Sequence, residues 1–150
     1  MNKDNIDMFD FGKLKVYQKS LDLIDYIYDV ADRFPAKETY NLSLQFKRAA
    51  NSISLNIGEG SGGTRKEFVR FLVISRRSLR ECVVCTTIAF RRKYIDEKTQ
   101  SSLRNQLTEI SKMISGFINY LESQNAKNNL SEPTIEYLTT SPNSELTTPN

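Results

Sequence analysis

The chain has no histidine, no tryptophan and only two cysteines in 150 residues. Without imidazole it lacks the commonest general base and the commonest metal ligand. Cys82 and Cys85 fall short of a zinc site, because no second pair supplies the remaining ligands. They stand three apart in a helical pattern, where they read as small buried hydrophobes. No apolar run approaches the roughly 20 residues of a membrane span. The opening stretch, MNKDNIDMFDFGK, carries acids where a signal peptide has bases and then apolar residues. These absences predict a soluble, cytoplasmic protein that is not an enzyme, with no cofactor and no metal. The length, with 39% hydrophobic residues, fits one domain.

Glycine is also scarce, six in all, yet four of them fall at Gly58, Gly60, Gly62 and Gly63. Gly58, Gly60 and Gly63 satisfy G-x-G-x-x-G. A dinucleotide fingerprint needs a strand before it and a helix opening inside it. Here the preceding KRAANSISLNI carries a helical stripe, and no Gly-Lys-Ser/Thr follows for a Walker loop. The stretch reads as a turn between helices, with glycines free to take the positive φ that ends a helix. Thr64-Arg65-Lys66-Glu67 then forms a capping box that starts the next helix. A helix start beside Arg65 and Lys66 leaves one functional alternative open, a phosphate of a larger ligand.

Four stretches show helical periodicity. The first runs from about Leu14 to Phe34, with Val16, Tyr17, Leu21, Ile24, Tyr28 and Ala31 on its apolar side, and Pro35 ends it. The second runs from Glu38 to Gly58 on Leu42, Phe46, Ala49, Ile53 and Ile57. The third, from Lys66 to Lys93, follows Phe68, Leu72, Ser75, Leu79, Cys82, Thr86 and Ala89. The fourth, from Glu97 to Ser123, follows Leu103, Leu107, Ile110, Ile114, Phe117 and Leu121. Short connections favour antiparallel neighbours. The fold class is therefore all-α: an antiparallel up-down-up-down four-helix bundle over residues 1–125. Residues 126–150, rich in Ser, Thr, Asn and Pro, read as a flexible C-terminal tail.

The block from Gln45 to Gly60, QFKRAANSISLNIGEG, resembles the signature of the small bacterial four-helix-bundle proteins also called 23S rRNA-intervening-sequence proteins. EFVRFL from Glu67, SLRE from Ser78, LKVY from Leu14 and Phe34-Pro35 extend the likeness over about residues 11–121. The resemblance implies an antiparallel bundle that assembles into a ring-like homopentamer. Some relatives are accessory proteins of diversity-generating retroelements, which bind the reverse transcriptase and nucleic acid. Two positions depart from the family: Gly58 where alanine is common, and Arg76-Arg77 where small residues are usual. Asn56 and Glu59 flank Ile57 at the end of the second helix. A carboxylate there opposes the helix dipole and needs a donor. With Gly60, Thr64 and Glu67 they form the expected structural corner.

The net charge of +3 conceals a strong asymmetry. Residues 64–93 hold nine bases, Arg65, Lys66, Arg70, Arg76, Arg77, Arg80, Arg91, Arg92 and Lys93, against Glu67 and Glu81, a local net of +7. At about 100° per residue, Lys66, Arg70, Arg76, Arg77, Arg80 and Arg91 share an arc of roughly 120°, opposite the apolar stripe. Such a face suits nucleic-acid phosphates, RNA or cDNA, held by bidentate arginines. No aromatic interleaving signals base stacking. Asp22, Asp25, Asp29 and Asp32 stripe the first helix and supply the alternative: pairing with a neighbour's arginines in a self-assembled ring. Two functions stand side by side. One is a nucleic-acid-binding accessory protein partnered by a reverse transcriptase. The other is an interaction scaffold whose charges build its own oligomer or grip a protein.

Overall fold

A computed structural model describes residues 10–131. Four helices follow a short 3-10 turn at Asp10–Lys13: α1 Lys15–Ala31, α2 Leu42–Ser61, α3 Arg65–Arg91 and α4 Glu97–Ser131. No strand occurs among the described residues. α1 packs on α2 and α4, and α3 packs on the same two helices, so α1 and α3 stand on a diagonal. Contacts between neighbours run in opposite directions along the chain: Ser20 meets Ser54 and Ala31 meets Ser43. Between α2 and α3, Ile53 meets Ser75 and Ser52 meets Ser78. The bundle is antiparallel, as the short connections predict.

On α2 and α3 the core is where the four-three spacing puts it. On α1 the buried face is Val16, Ser20, Leu23, Ile27, Val30 and Ala31, while the expected Tyr17, Leu21, Ile24 and Tyr28 are half-buried beside it. On α4 Ile118 is buried where the spacing gives Phe117. Leu23, Ile27, Phe46, Ile53, Ile57, Leu72, Leu103, Leu107 and Ile114 are fully buried. Each such side chain contributes about 1.5–3 kcal/mol on leaving water. Small hydroxyl residues line the seams between α1, α2 and α3, where they let the backbones approach. Ser20 and Ser54 share a hydrogen bond of 2.7 Å, and Ser75 donates to the Ile53 carbonyl at 2.9 Å. Every buried side-chain polar atom among the described residues has a partner.

Four boundaries differ from the expectation, the first being the end of α1, which stops at Ala31 and not at Phe34. α2 begins at Leu42, after a 3-10 turn at Ala36–Glu38. Glu38, expected as its first residue, instead accepts from the Leu42 amide and the Asn41 side chain. It also accepts from the Tyr94 hydroxyl at 3.0 Å, tying the α3–α4 connection to the start of α2. α2 ends at Ser61, past the expected Gly58. α4 runs on through Ser131, because nothing between Ser123 and Pro133 in the sequence interrupts a helix. The tail expected from Ala126 onward therefore begins as helix, and its residues 132–150 lie outside the described residues.

The role of the glycines differs more. No described glycine has positive φ. Gly58 and Gly60 are helical, and Gly62 closes α2 at φ −81°. A Cβ on Gly60 would lie 2.5 Å from the Phe71 Cβ and 2.9 Å from the Phe68 ring. Gly60 is thus required by the close approach of α2 and α3, not by a left-handed turn. The one positive φ among the described residues belongs to Lys93, at 63°.

Candidate nucleic-acid interface

α3 is fixed at both ends. The Glu67 amide donates to the Thr64 hydroxyl at 3.2 Å, and the Thr64 amide donates to the Glu67 carboxylate at 2.8 Å. This is the capping box that the sequence predicts. At the other end Lys93 turns left-handed, its amide reaching the Phe90 carbonyl while the Tyr94 amide reaches that of Ala89. The pair of bonds closes the helix as a Schellman motif. Lys93 therefore lies beyond α3 and not on its face.

Between the caps the seam residues Phe68, Leu72, Ser75, Leu79, Cys82, Thr86 and Ala89 are all buried. Arg65, Lys66, Arg70, Arg77, Arg80, Arg91 and Arg92 are exposed, as is Lys93. The Arg70 guanidinium lies 5.4 Å from the centre of the Phe71 ring. Arg76 differs. It is half-buried, and its guanidinium donates to the Ser115 hydroxyl of α4 at 3.2 Å. None of the nine bases makes an ion pair among the described residues.

The face is not evenly basic. Val84 and Ile88, 56% and 41% exposed, occupy the same arc. They separate a group at residues 65–80 from a second at 91–93. From Arg80 to Arg91 the axial distance is about 16 Å at 1.5 Å per residue. The charge pattern alone places the arginines on this arc and passes over the two aliphatics, although the same angular arithmetic finds them.

The corner is partly as expected. Asn56 donates to the Ser52 carbonyl and hydroxyl at 2.7 and 3.0 Å, and Ser52 shares a 2.8 Å bond with Ser78 of α3. Glu59 does not join this network. It is exposed and makes no side-chain hydrogen bond or ion pair among the described residues. Its carboxylate meets water, which removes the need for a donor. Of the aspartates, Asp32 pairs with Lys47 of α2. Asp22, Asp25 and Asp29 are exposed and make no ion pair among the described residues. With α1 and α3 on a diagonal, these acids do not reach the α3 arginines within one chain.

A groove that the sequence does not announce opens between α1 and α2. It is an open groove of about 1180 Å3, lined by Phe11, Tyr17, Leu21, Ile24 and Leu55 and, at the start of α3, by Glu67, Arg70 and Phe71, with Glu59 of α2 among them. Leu55, 69% exposed, stands off the α2 core stripe, and the α1 residues expected in the core, Tyr17, Leu21 and Ile24, line the groove half-buried. Among the described residues no helix is long and apolar enough to cross a membrane.

The sequence pattern of the 23S rRNA-intervening sequence protein family matches residues 12–116. A crystal structure of a protein of unknown function from the S23 ribosomal protein family, from Bacteroides thetaiotaomicron VPI-5482, is similar in fold. It superposes with a TM-score of 0.65 at 26% identity, over 69% of this chain and 95% of that one. A comparison with curated proteins finds no match. The chain belongs to the 23S rRNA-intervening sequence protein family.

Proposed function

We propose that this family member is a non-enzymatic, homo-oligomeric accessory protein that holds RNA or cDNA phosphates on the basic face of α3. One observation carries the reading. The guanidiniums of Arg77 and Arg80, with Arg65, Lys66 and Arg70 nearby in sequence, are exposed on one capped helix with no acid of the described chain paired to them. Arginine offers a planar fork that matches a phosphate, and each phosphate neutralised releases counterions. The exposed aromatics Tyr40, Phe90 and Tyr120 stand off the basic arc. Recognition is then of backbone and shape, without base stacking. The resemblance to retroelement accessory proteins supports a reverse transcriptase as the partner and a pentameric ring as the assembly.

A second reading has its own support. Val84 and Ile88 expose aliphatic surface in the middle of the face, as an interface between protein chains does. RNA affinity measured at 50 and 200 mM salt decides between them. For six phosphate contacts it falls by on the order of 10³-fold. Replacing Arg76, Arg77 and Arg80 with glutamine weakens that binding and leaves the oligomer intact. If the replacement breaks the oligomer and RNA never binds, the scaffold reading stands instead.

A further inference from the structure

We infer, resting on the phosphate reading of the α3 face, that the nucleic acid held there is double-stranded and that the helix bridges one of its grooves. Arg77 and Arg80 contact one phosphate backbone, and Arg91 and Arg92 contact the other. The stretch between these two groups is unfit for phosphate. At or beside the arc its exposed residues are Glu81, Val84 and Ile88. Glu81 makes no ion pair among the described residues. A free carboxylate repels a phosphate, and two aliphatic side chains offer it no donor.

A single strand laid along α3 carries a phosphate at every nucleotide, so several would lie over this stretch of about 16 Å. A duplex avoids that. Its two backbones are parted by grooves without phosphates, about 12 Å wide for the major groove of the B form. The wide, shallow minor groove of an A-form duplex is the counterpart. A gap of about 16 Å along the helix axis takes in such a groove, with the backbones at its two edges. The scaffold also suits a ligand of fixed shape. The 27 residues of α3 run about 40 Å, capped at both ends and buried along one seam, so the two basic groups keep their separation. Their face is the outward, convex side of the helix. Proteins that take single strands combine a charged channel with aromatic platforms, and the exposed aromatics stand off this arc. Arg91 and Arg92 also complement the negative end of the α3 dipole, so the test must separate phosphate contact from that role.

The full-length protein is titrated by fluorescence anisotropy with three dye-labelled probes, each about 20 nucleotides long, between about 50 and 200 mM salt. They are a DNA duplex, an RNA–DNA duplex of the same sequence, and single-stranded oligothymidylate. One of the duplexes is expected to bind about tenfold tighter than the single strand, and the tighter of the two names the helical form. Charge density alone favours a duplex, so two variants carry the decision. Arg91→Gln with Arg92→Gln makes the slope of log affinity against log salt shallower by about 2 on that duplex. It leaves the single-strand slope unchanged. Arg91→Lys with Arg92→Lys restores the duplex slope, with fold and assembly checked by circular dichroism and light scattering. Val84→Lys with Ile88→Lys leaves the duplex slope as it is, because no phosphate lies over the gap. Equal affinity for single strand and duplex overturns the proposal. So does a glutamine pair that flattens all slopes alike, or none. A duplex slope made steeper by about 2 by the lysine pair overturns it equally. If no probe binds, the phosphate reading itself fails, whereas tight binding of the single strand alone removes only the duplex.

Discussion

Gly60 and Gly58 sit two residues apart in α2 and ask for glycine to different degrees. At Gly60 an added methyl would meet the Phe71 Cβ, which moves only with its backbone. Gly60→Ala is expected to cost about 1–3 kcal/mol, as overpacked cores do. At Gly58 the added carbon would meet the outer edge of the Phe11 ring at 3.3 Å, a group that can tilt. Gly58→Ala is expected to be neutral or to gain up to about 1 kcal/mol from helix propensity. Urea unfolding midpoints of the two variants check the contrast. The glycine cluster is conspicuous in the sequence, but its cause is hidden there. Glycine signals both a left-handed turn and a close helix crossing, and only the interhelical distance separates them. The cysteines are fully legible. Both thiols are buried. Burial, then the neighbouring Glu81, pushes the Cys85 thiol up to about 11. Burial likewise drives Cys82 upward. Alkylation with iodoacetamide at pH 8 is expected to be slow in the native protein and fast in urea, since the thiolate is the nucleophile.

Helix ends separate what periodicity reveals from what it does not. The α2 and α3 seams are readable because a four-three spacing admits one buried face per helix, whereas α1 carries two adjacent apolar stripes, and only its packing shows that Leu23, Ile27 and Val30 are buried and Tyr17, Leu21 and Ile24 are not. Ends depend on caps, and a cap supplied by a distant residue leaves no local pattern. Thr64 and Glu67 lie within one turn, so their box is visible in the sequence. Glu38 caps α2 while also receiving the Tyr94 hydroxyl from 56 residues away, and so the local pattern extends the helix too far. The Tyr94 hydrogen bond, then that of the Leu42 amide, holds the Glu38 carboxyl below its ordinary value of 4.5. A depressed carboxylate stabilises the fold above its unfolded pKa, and that stability is lost as pH falls through the folded value. Glu38→Gln is therefore expected to lower the melting temperature at pH 7. The gap to the wild type should shrink as the pH drops below 4.5. Thermal melts at pH 7 and pH 3 check this, and an unchanged gap would rule out the ionised carboxylate as the tie. Arg76 teaches the same at the level of a helix face. Its arc follows from helical spacing, but its bond to Ser115 depends on where α4 lies. Arg76→Gln alone is expected to reduce stability by on the order of 1 kcal/mol and to change RNA affinity less than Arg77→Gln, by melting and by titration.

Across the whole molecule the charges form two separated territories. Acids line α1 and bases line α3, and the bundle sets these helices on a diagonal. The two stripes are visible in the sequence. Their separation is not, because helical spacing gives the face of each helix and not which helices adjoin. The separation leaves the α3 guanidiniums open to polyanions while the α1 acids face away from them. The proposed ring would repeat the basic face around the oligomer. The direct test of the account is the salt dependence of RNA binding by the wild type and by Arg77→Gln with Arg80→Gln, plotted as log affinity against log salt. Loss of two phosphate contacts makes the slope shallower by about 2 at unchanged oligomeric state. Two lines of equal slope would show that these arginines do not touch the phosphates, and would contradict the account.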